Sequence, residues 1–273
     1  MKKIPIGVFD SGYGGLTILA ELLKKMPDYD YIYFGDNARA PYGNRSFDVV
    51  YAYTLEAVNF LFNQGCELVI IACNTASAKA LRSIQQNDLP NYGTNKRVLG
   101  VIRPCTEYIG QVTKSNSIGI LGTEGTVNSN SYPIELKKFF PSLTVAQHAC
   151  PMWVPLIENN MHNTEAGKLI IKSDIEGFLS QNPTIDTLVL ACTHYPVLLD
   201  YIQFLVGANV QVVPQGEIVA EKLLDYLARH KALDASLTKG SSVDFYTSEN
   251  STFFDEAATN FIHRKIRSQQ ISF

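Results

Sequence analysis

The sequence predicts an α/β protein made of two similar lobes, each a mostly parallel sheet flanked by helices. Three observations carry this. Apolar runs of strand length alternate with stretches of helical periodicity along most of the 273 residues, as in successive βαβ units. Two runs, Leu68-Val69-Ile70-Ile71-Ala72 and Leu188-Val189-Leu190-Ala191, each end in one cysteine followed by polar residues: Cys73-Asn74-Thr75 and Cys192-Thr193-His194. Hydrophobic residues make up 46% and charged residues 18%, an ordinary balance for a chain that buries a real core.

The elements follow in order. Residues 6–10 read as a first buried strand ending in Asp10. Gly12, Gly14 and Gly15 make a turn, and residues 16–26 keep helical spacing up to Pro27. Residues 31–34 are a second strand, closed by Gly35-Asp36, and after a polar loop a helix over 47–62 stops at Gly65. The strand 68–72 and a helix over 75–86 complete the first series. Pro90 and Gly93 make residues 89–96 a connection. A second series starts at 97–102. It continues through a strand at 117–121, a helix at 127–140, a strand at 143–149, a helix at 168–180 and the strand 188–191. Residues 210–213 add a strand and 217–230 a helix. Periodicity leaves open which lobe takes these last elements.

The formal net charge is −3, so no global field draws the chain to nucleic acid or to an anionic membrane. The one basic cluster, His263-Arg264-Lys265 with Arg267, reads as the solvated face of a last helix. No segment is apolar for long enough to span a bilayer. The start of the chain reaches Asp10 before a signal-length apolar region develops. The five cysteines, at 66, 73, 105, 150 and 192, are odd in number, widely spaced and free of any C-x-x-C. That excludes a disulfide framework and a zinc knuckle, and reduced thiols point to the cytoplasm. Cys66 and Cys150 have no evident base nearby. His148, His162, His230 and His263 show no metal-ligand spacing.

Cys73 and Cys192 stand where buried parallel strands end and helices begin, the place where ligands collect in open α/β sheets. Asn74 or Thr75 can cap the helix after Cys73, and the field of a helix N-terminus lowers a thiol's pKa. Pro196 suits the first turn of a helix over 197–205, and His194 can pass protons to or from Cys192. A lone buried cysteine is commonly only a core residue. Two at equivalent strand ends point instead to a matched acid/base pair facing one pocket. Asp10-Ser11-Gly12-Tyr13-Gly14-Gly15 is the other dense motif, with a carboxylate projected into the same crevice and glycines that admit an anionic ligand to the backbone. A dinucleotide fingerprint fails here because Thr17 stands at the third glycine position, and Lys239-Gly240-Ser241 has the wrong order for a Walker A loop. Pro41-Tyr42-Gly43 is a turn whose amides can hold a carboxylate.

At these residues the chain resembles the glutamate racemase family. The matching blocks are Phe9-Asp10-Ser11-Gly12-Tyr13-Gly14-Gly15-Leu16, Pro41-Tyr42-Gly43, Ala72-Cys73-Asn74-Thr75-Ala76 and Cys192-Thr193-His194-Tyr195-Pro196. Cys150-Pro151 with Val154-Pro155-Leu156-Ile157-Glu158 is similar to a further block, and the likeness covers nearly the whole chain. The resemblance implies two α/β lobes around an interlobe active site. The first lobe would comprise residues 1–97 and 208–273 and the inserted second lobe residues 98–207. It implies cofactor-independent interconversion of L- and D-glutamate, with no PLP, metal or nucleotide, supplying D-glutamate for peptidoglycan. Cys73 would take the α-proton of D-glutamate, assisted by Asp10. Cys192 would take that of L-glutamate, assisted by His194, with Glu158 on the same side. Asp10, Ser11, Tyr42, Gly43, Asn74, Thr75, Thr193 and His194 would form the substrate shell, Asp10 pairing with the ammonium. Many relatives are dimers, so a homodimer is an expectation of the family alone.

The chain departs from the family's usual pattern at Arg103, Cys105, Ala191 and Gln215-Gly216. It also lacks the long N-terminal extension linked in some relatives to activation by a cell-wall precursor, so no such dependence is expected. An aspartate racemase or maleate isomerase of the same superfamily is the nearest alternative. The Asp10-Ser11 and Pro41-Tyr42-Gly43 blocks favour the glutamate enzyme. A binding protein that sequesters DNA gyrase would not need both cysteines and their partners. A cysteine hydrolase needs one nucleophile rather than a duplicated pair.

Overall fold

Ten strands build two sheets in the computed structural model, which describes residues 3–272. They are β1 (Ile6–Asp10), β2 (Tyr31–Gly35), β3 (Leu68–Ile71), β4 (Arg97–Gly100), β5 (Ser117–Gly122), β6 (Thr144–Ala149), β7 (Thr187–Ala191), β8 (Gln211–Val213), β9 (Val243–Thr247) and β10 (Ser268–Gln270). The first sheet has the order β10-β9-β2-β1-β3-β4 and the second β6-β5-β7-β8. Every pairing is parallel. β1, β3, β5 and β7 are buried along their whole length, which is why they read as unbroken apolar runs rather than as alternation.

The two sheets repeat one winding. The chain runs from β1 to β2 on one side and then crosses to β3 and β4 on the other. It repeats this from β5 to β6 and then to β7 and β8. Cys73 follows the third strand of the first unit and Cys192 the third strand of the second. Each therefore lies at the point where the winding reverses, the usual ligand crevice of such sheets.

Helices cover both faces. The helix Phe47–Asn63 is capped by Ser46, whose Oγ accepts from Val49 N at 3.4 Å. It buries Val50, Thr54, Ala57, Val58 and Leu61 on one face. The helix Gly15–Lys25 buries Leu16, Ile18, Leu19 and Leu22 and carries Lys24 and Lys25 in its last turn. It packs against the helix Gly216–Arg229, and the two help form a core that runs without a break from Leu16 and Ile70 to Leu188 and Cys192. Smaller clusters fill the outer faces of each lobe. Among the described residues no helix is long and apolar enough to cross a membrane.

Several expected boundaries move. β4 pairs with β3 and belongs to the first sheet, and β8 pairs with β7 and belongs to the second. The sheets thus change hands after Gly100 and after Val213, rather than at 97/98 and 207/208, because apolar periodicity does not reveal which neighbour a strand joins. The single helix expected over 75–86 is Asn74–Lys79, a turn at Leu81–Ser83 and a π-helical stretch Ile84–Asp88. The helix over 127–140 is broken at Asn130, which adopts a left-handed conformation between Glu124–Asn128 and Ser131–Phe139. The basic cluster lies beyond the last helix. Ser251–Ile262 ends at a left-handed His263, and the cluster occupies the exposed turn into β10.

Candidate active site

Strand register puts the two halves of the site in correspondence. Phe9 pairs with Ile71 and Gly122 with Ala191. Continuing each register past the strand end sets Ser11 beside Cys73 and Thr123 beside Cys192. All four residues line one cleft between the lobes, together with Ala40, Tyr42, Gly43, Asn74, Thr75, Val154, Glu158, Thr193 and His194. The cleft is narrow, with about 380 Å³ of space between its walls including the part open to solvent. Cys73 is 5% and Cys192 6% exposed, so each thiol reaches the cavity from an otherwise buried position.

Cys73 itself caps its helix. Its Sγ accepts from Ala76 N at 3.4 Å, so Asn74 and Thr75 are not the capping residues. The Ser11 hydroxyl lies 3.3 Å from the same sulfur. Both contacts favour the thiolate, as does the helix terminus, yet they lose to the environment. Burial, and then the nearby Asp10 carboxylate, push the Cys73 thiol up to about 12. The expected lowering by the helix field is outweighed because the helix contributes partial charges, whereas the cost of a buried anion is several kcal/mol.

Asp10 lies beneath the cleft. It is 0% exposed, and its carboxylate accepts from Gly12 N at 2.9 Å and from Thr193 Oγ1 at 3.2 Å. Burial raises its pKa, opposed chiefly by His194. It therefore does not occupy the cleft wall, where contact with a substrate ammonium was expected. It ties the first thiol's loop to the second thiol's loop instead. Gly14 makes that approach possible, since a Cβ there would sit 2.3 Å from Thr193 Oγ1 and 2.5 Å from His194 Nδ1. Gly14 thus serves a lobe–lobe contact, while Gly12 lines the cleft and Gly15 lies against Asp10.

The second thiol has different company. Cys192 Sγ is 3.9 Å from His194 Nδ1, and His194 Nε2 is 2.9 Å from Glu158 Oε1. Burial works against a charged His194, but Cys192 and Glu158 on its two nitrogens overcome it and raise the imidazole to about 10. No helix starts at Cys192. A 3₁₀ turn at Tyr195–Leu198 comes first, then the helix Leu199–Val206. The two cysteines share a strand-end position but not a microenvironment.

Around them the polar shell is linked across the lobes. Thr75 and Thr123 share a hydrogen bond of 2.8 Å. Asn74 Nδ2 donates to Gln215 Oε1 at 2.6 Å, Gln215 Nε2 donates to Tyr132 Oη, and Tyr132 Oη donates to Asn74 Oδ1 at 2.7 Å. This closed, buried ring joins the first thiol's neighbour to the second lobe and to the segment after β8. The Tyr42 hydroxyl donates to Asp36, which also accepts from Arg39 Nε at 2.7 Å, and this anchors the Pro41-Tyr42-Gly43 turn.

Of the residues expected at the site, Ser11, Tyr42, Gly43, Cys73, Asn74, Thr75, Glu158, Cys192, Thr193 and His194 come together on the cleft, with Asp10 directly below. Thr123 was missed. Its signal was present in the repeat, because it follows β5 as Ser11 follows the end of β1. Gln215 and Tyr132 were also missed, and nothing in their local sequence marks the ring. Cys150, set aside as lacking a base, has the His148 and Asp174 side chains close by.

The fold and the paired thiols define a class, an α/β enzyme with its site in a cleft between two lobes. Residues 16–223 match the family described as Asp/Glu/hydantoin racemase. A glutamate racemase of Geobacter metallireducens is 37% identical over 262 residues, covering 96% of this chain and 93% of the relative. Glutamate racemase isoform RacE1 of Bacillus anthracis superposes with a TM-score of 0.90 at 33% identity, covering 100% of this chain and 98% of that one. The Francisella tularensis glutamate racemase in complex with D-glutamate gives 0.87 at 30% identity, with 100% and 98% coverage. The chain belongs to the Asp/Glu/hydantoin racemase family and is an amino-acid racemase of the glutamate racemase kind, an isomerase.

Proposed function

We propose that this protein interconverts L- and D-glutamate without a cofactor, by a two-base mechanism in which Cys73 and Cys192 serve opposite faces of the α-carbon. The observation that carries this reading is the placement of two buried thiols at corresponding strand ends on one small cleft. Such a reaction starts from one thiol and one thiolate, and the two surroundings are unequal. Cys73, pushed up to about 12, is the proton donor. His194, charged between Cys192 and Glu158, is the counter-charge for a thiolate at Cys192.

With L-glutamate, the Cys192 thiolate takes the α-proton and the Cys73 thiol delivers its proton to the opposite face. Both sulfurs then hold the reverse protonation and must exchange with solvent before the next L-glutamate. With D-glutamate the roles invert, and the Ser11 hydroxyl and Ala76 N–H are the donors that stabilise a Cys73 thiolate. Asp10 acts through Cys73 and Thr193 from below. Hydroxyls and amides of Ser11, Tyr42, Gly43, Asn74, Thr75, Thr123, Thr193 and His194 are the groups available to the two carboxylates. Holding both ends in a dry, preorganised site lowers the barrier to a carbanion. PLP chemistry starts from a lysine Schiff base, and the described lining of the cleft contains no lysine.

The relative solved with D-glutamate supports the substrate assignment, and D-glutamate made in the cytoplasm would feed peptidoglycan synthesis. The test is incubation of L-glutamate in deuterated water, with protein dialysed against chelator and no added cofactor. The expected product is D-glutamate carrying one deuterium at Cα. Faster turnover of aspartate or maleate would move the assignment to the sister enzymes, and no exchange with any of the three would favour a binding protein.

A further inference from the structure

We propose that His148, Cys150 and Asp174 form a binding site for a zinc-class divalent transition metal ion, on the edge of the second lobe and outside the catalytic cleft. β6 is the edge strand of its sheet. His148 near its end and Cys150 two residues on share one face, because strand side chains alternate. The helix Glu165–Gln181 supplies Asp174 to that face. One donor atom from each residue lies within 4.8 Å of the other two.

Each group is held ready but incompletely satisfied. His148 Nε2 is buried without a hydrogen-bond partner, and Asp174 Oδ1 is 3.6 Å away, beyond hydrogen-bond range. The ring is stacked on Phe178 at 5.3 Å, which fixes its plane. Asp174 Oδ2 accepts from Trp153 Nε1 at 2.7 Å, the kind of outer contact that orients a metal-binding carboxylate. The Cys150 sulfur makes only a 3.9 Å contact to the His148 carbonyl. A simple His–Asp pair would leave the thiol idle and the imidazole nitrogen orphaned, whereas a cation engages all three.

The geometry is close to what a metal needs. Some point lies within about 2.8 Å of any three atoms no more than 4.8 Å apart. Movements of roughly 0.5–0.8 Å per ligand then reach the zinc distances of about 2.0–2.3 Å. A nitrogen, sulfur and oxygen donor set suits zinc-class ions rather than calcium or magnesium. His148 and Asp174 have side chains 32% and 28% exposed, so the site borders solvent. On binding, the Cys150 S–H bond breaks, its proton goes to solvent and the sulfur–metal bond forms, with no redox change. An ion here would join β6 to the helix Glu165–Gln181. Through Trp153 it would also steady the helix Trp153–Glu158, whose last residue holds His194.

Cobalt(II) titration of the full-length chain tests this, with Cys73→Ser and Cys192→Ser removing the catalytic thiols. The expected result is one Co²⁺ per chain with thiolate-to-cobalt absorption and intense tetrahedral d–d bands, both displaced by Zn²⁺. Cys150→Ala and, separately, His148→Ala should weaken binding by about 100-fold. Zn²⁺ should raise the melting temperature of the parent but not of His148→Ala. His148 is half-buried, so that variant decides the matter if Cys150→Ala fails to fold. Absence of thiolate–cobalt absorption up to about 1 mM Co²⁺ would overturn the proposal, as would bands that survive His148→Ala.

Discussion

Glu158→Gln removes one of the two partners that hold His194 in its charged form while keeping the shape of the side chain. His194 is raised from an ordinary 6.5 to about 10, and at about 1.4 kcal/mol per unit this is on the order of 5 kcal/mol of net preference for the imidazolium. Two partners share that work, Cys192 on Nδ1 and Glu158 on Nε2. Glu158 is partly exposed, so its share is discounted for solvent screening. Glutamine should therefore lower the His194 midpoint by about 1–2 units. The chain has five histidines, few enough for ¹⁵N-histidine NMR to follow each ring through pH. A raised midpoint means that stability from His194 is fully present below about 6.5 and is lost as pH rises through about 10. The variant should hold less of it and finish losing it at lower pH. A wild-type His194 that titrates near 6.5, or a midpoint that ignores the substitution, would refute the account of the second thiol.

Other outcomes follow from the same geometry. Asp10→Asn removes a negative charge that raises Cys73. Cys73 should then alkylate with iodoacetamide at lower pH while racemisation falls, and unchanged alkylation would deny the coupling. Gly14→Ala would set a Cβ 2.3 Å from Thr193 Oγ1. Turnover should fall at least tenfold, with a stability loss of about 1–3 kcal/mol measured by denaturant titration. Gln215→Leu leaves the buried Asn74 Nδ2 unpaired and takes a donor from Tyr132 Oη, so it should cost about 1–3 kcal/mol and raise KM. Restoration of both by Gln215→Glu would show that the acceptor alone matters.

Much of the fold was legible because the strands that carry the site are buried on both faces. β1, β3, β5 and β7 stand out as apolar runs, and within two residues of their ends come Ser11, Cys73, Thr123 and Cys192, which line the cleft. Sheet membership was not legible. β4 and β8 are short strands whose partners are chosen by packing at long range, so both lobe boundaries shifted by a few residues. β10 carries no apolar residue and Asp244 interrupts β9, so neither reads as an unbroken apolar run. At the site, local motifs located both thiols, but their electrostatic difference depends on contacts between Asp10 and Thr193 and between His194 and Glu158. Those residues are far apart in sequence. The same distance hid the Asn74–Tyr132–Gln215 ring and the nearness of Asp174 to Cys150.

The central claim is that each thiol serves one face of the same carbon. Cys73→Ala and Cys192→Ala, each folded as judged by circular dichroism, should be assayed with both glutamate enantiomers and with an analogue that loses a β-leaving group after α-proton removal. Neither variant should racemise glutamate. Cys192→Ala should retain elimination only from the D-analogue, and Cys73→Ala only from the L-analogue. Full racemisation by either variant, or elimination without preference for hand, would contradict a two-base site.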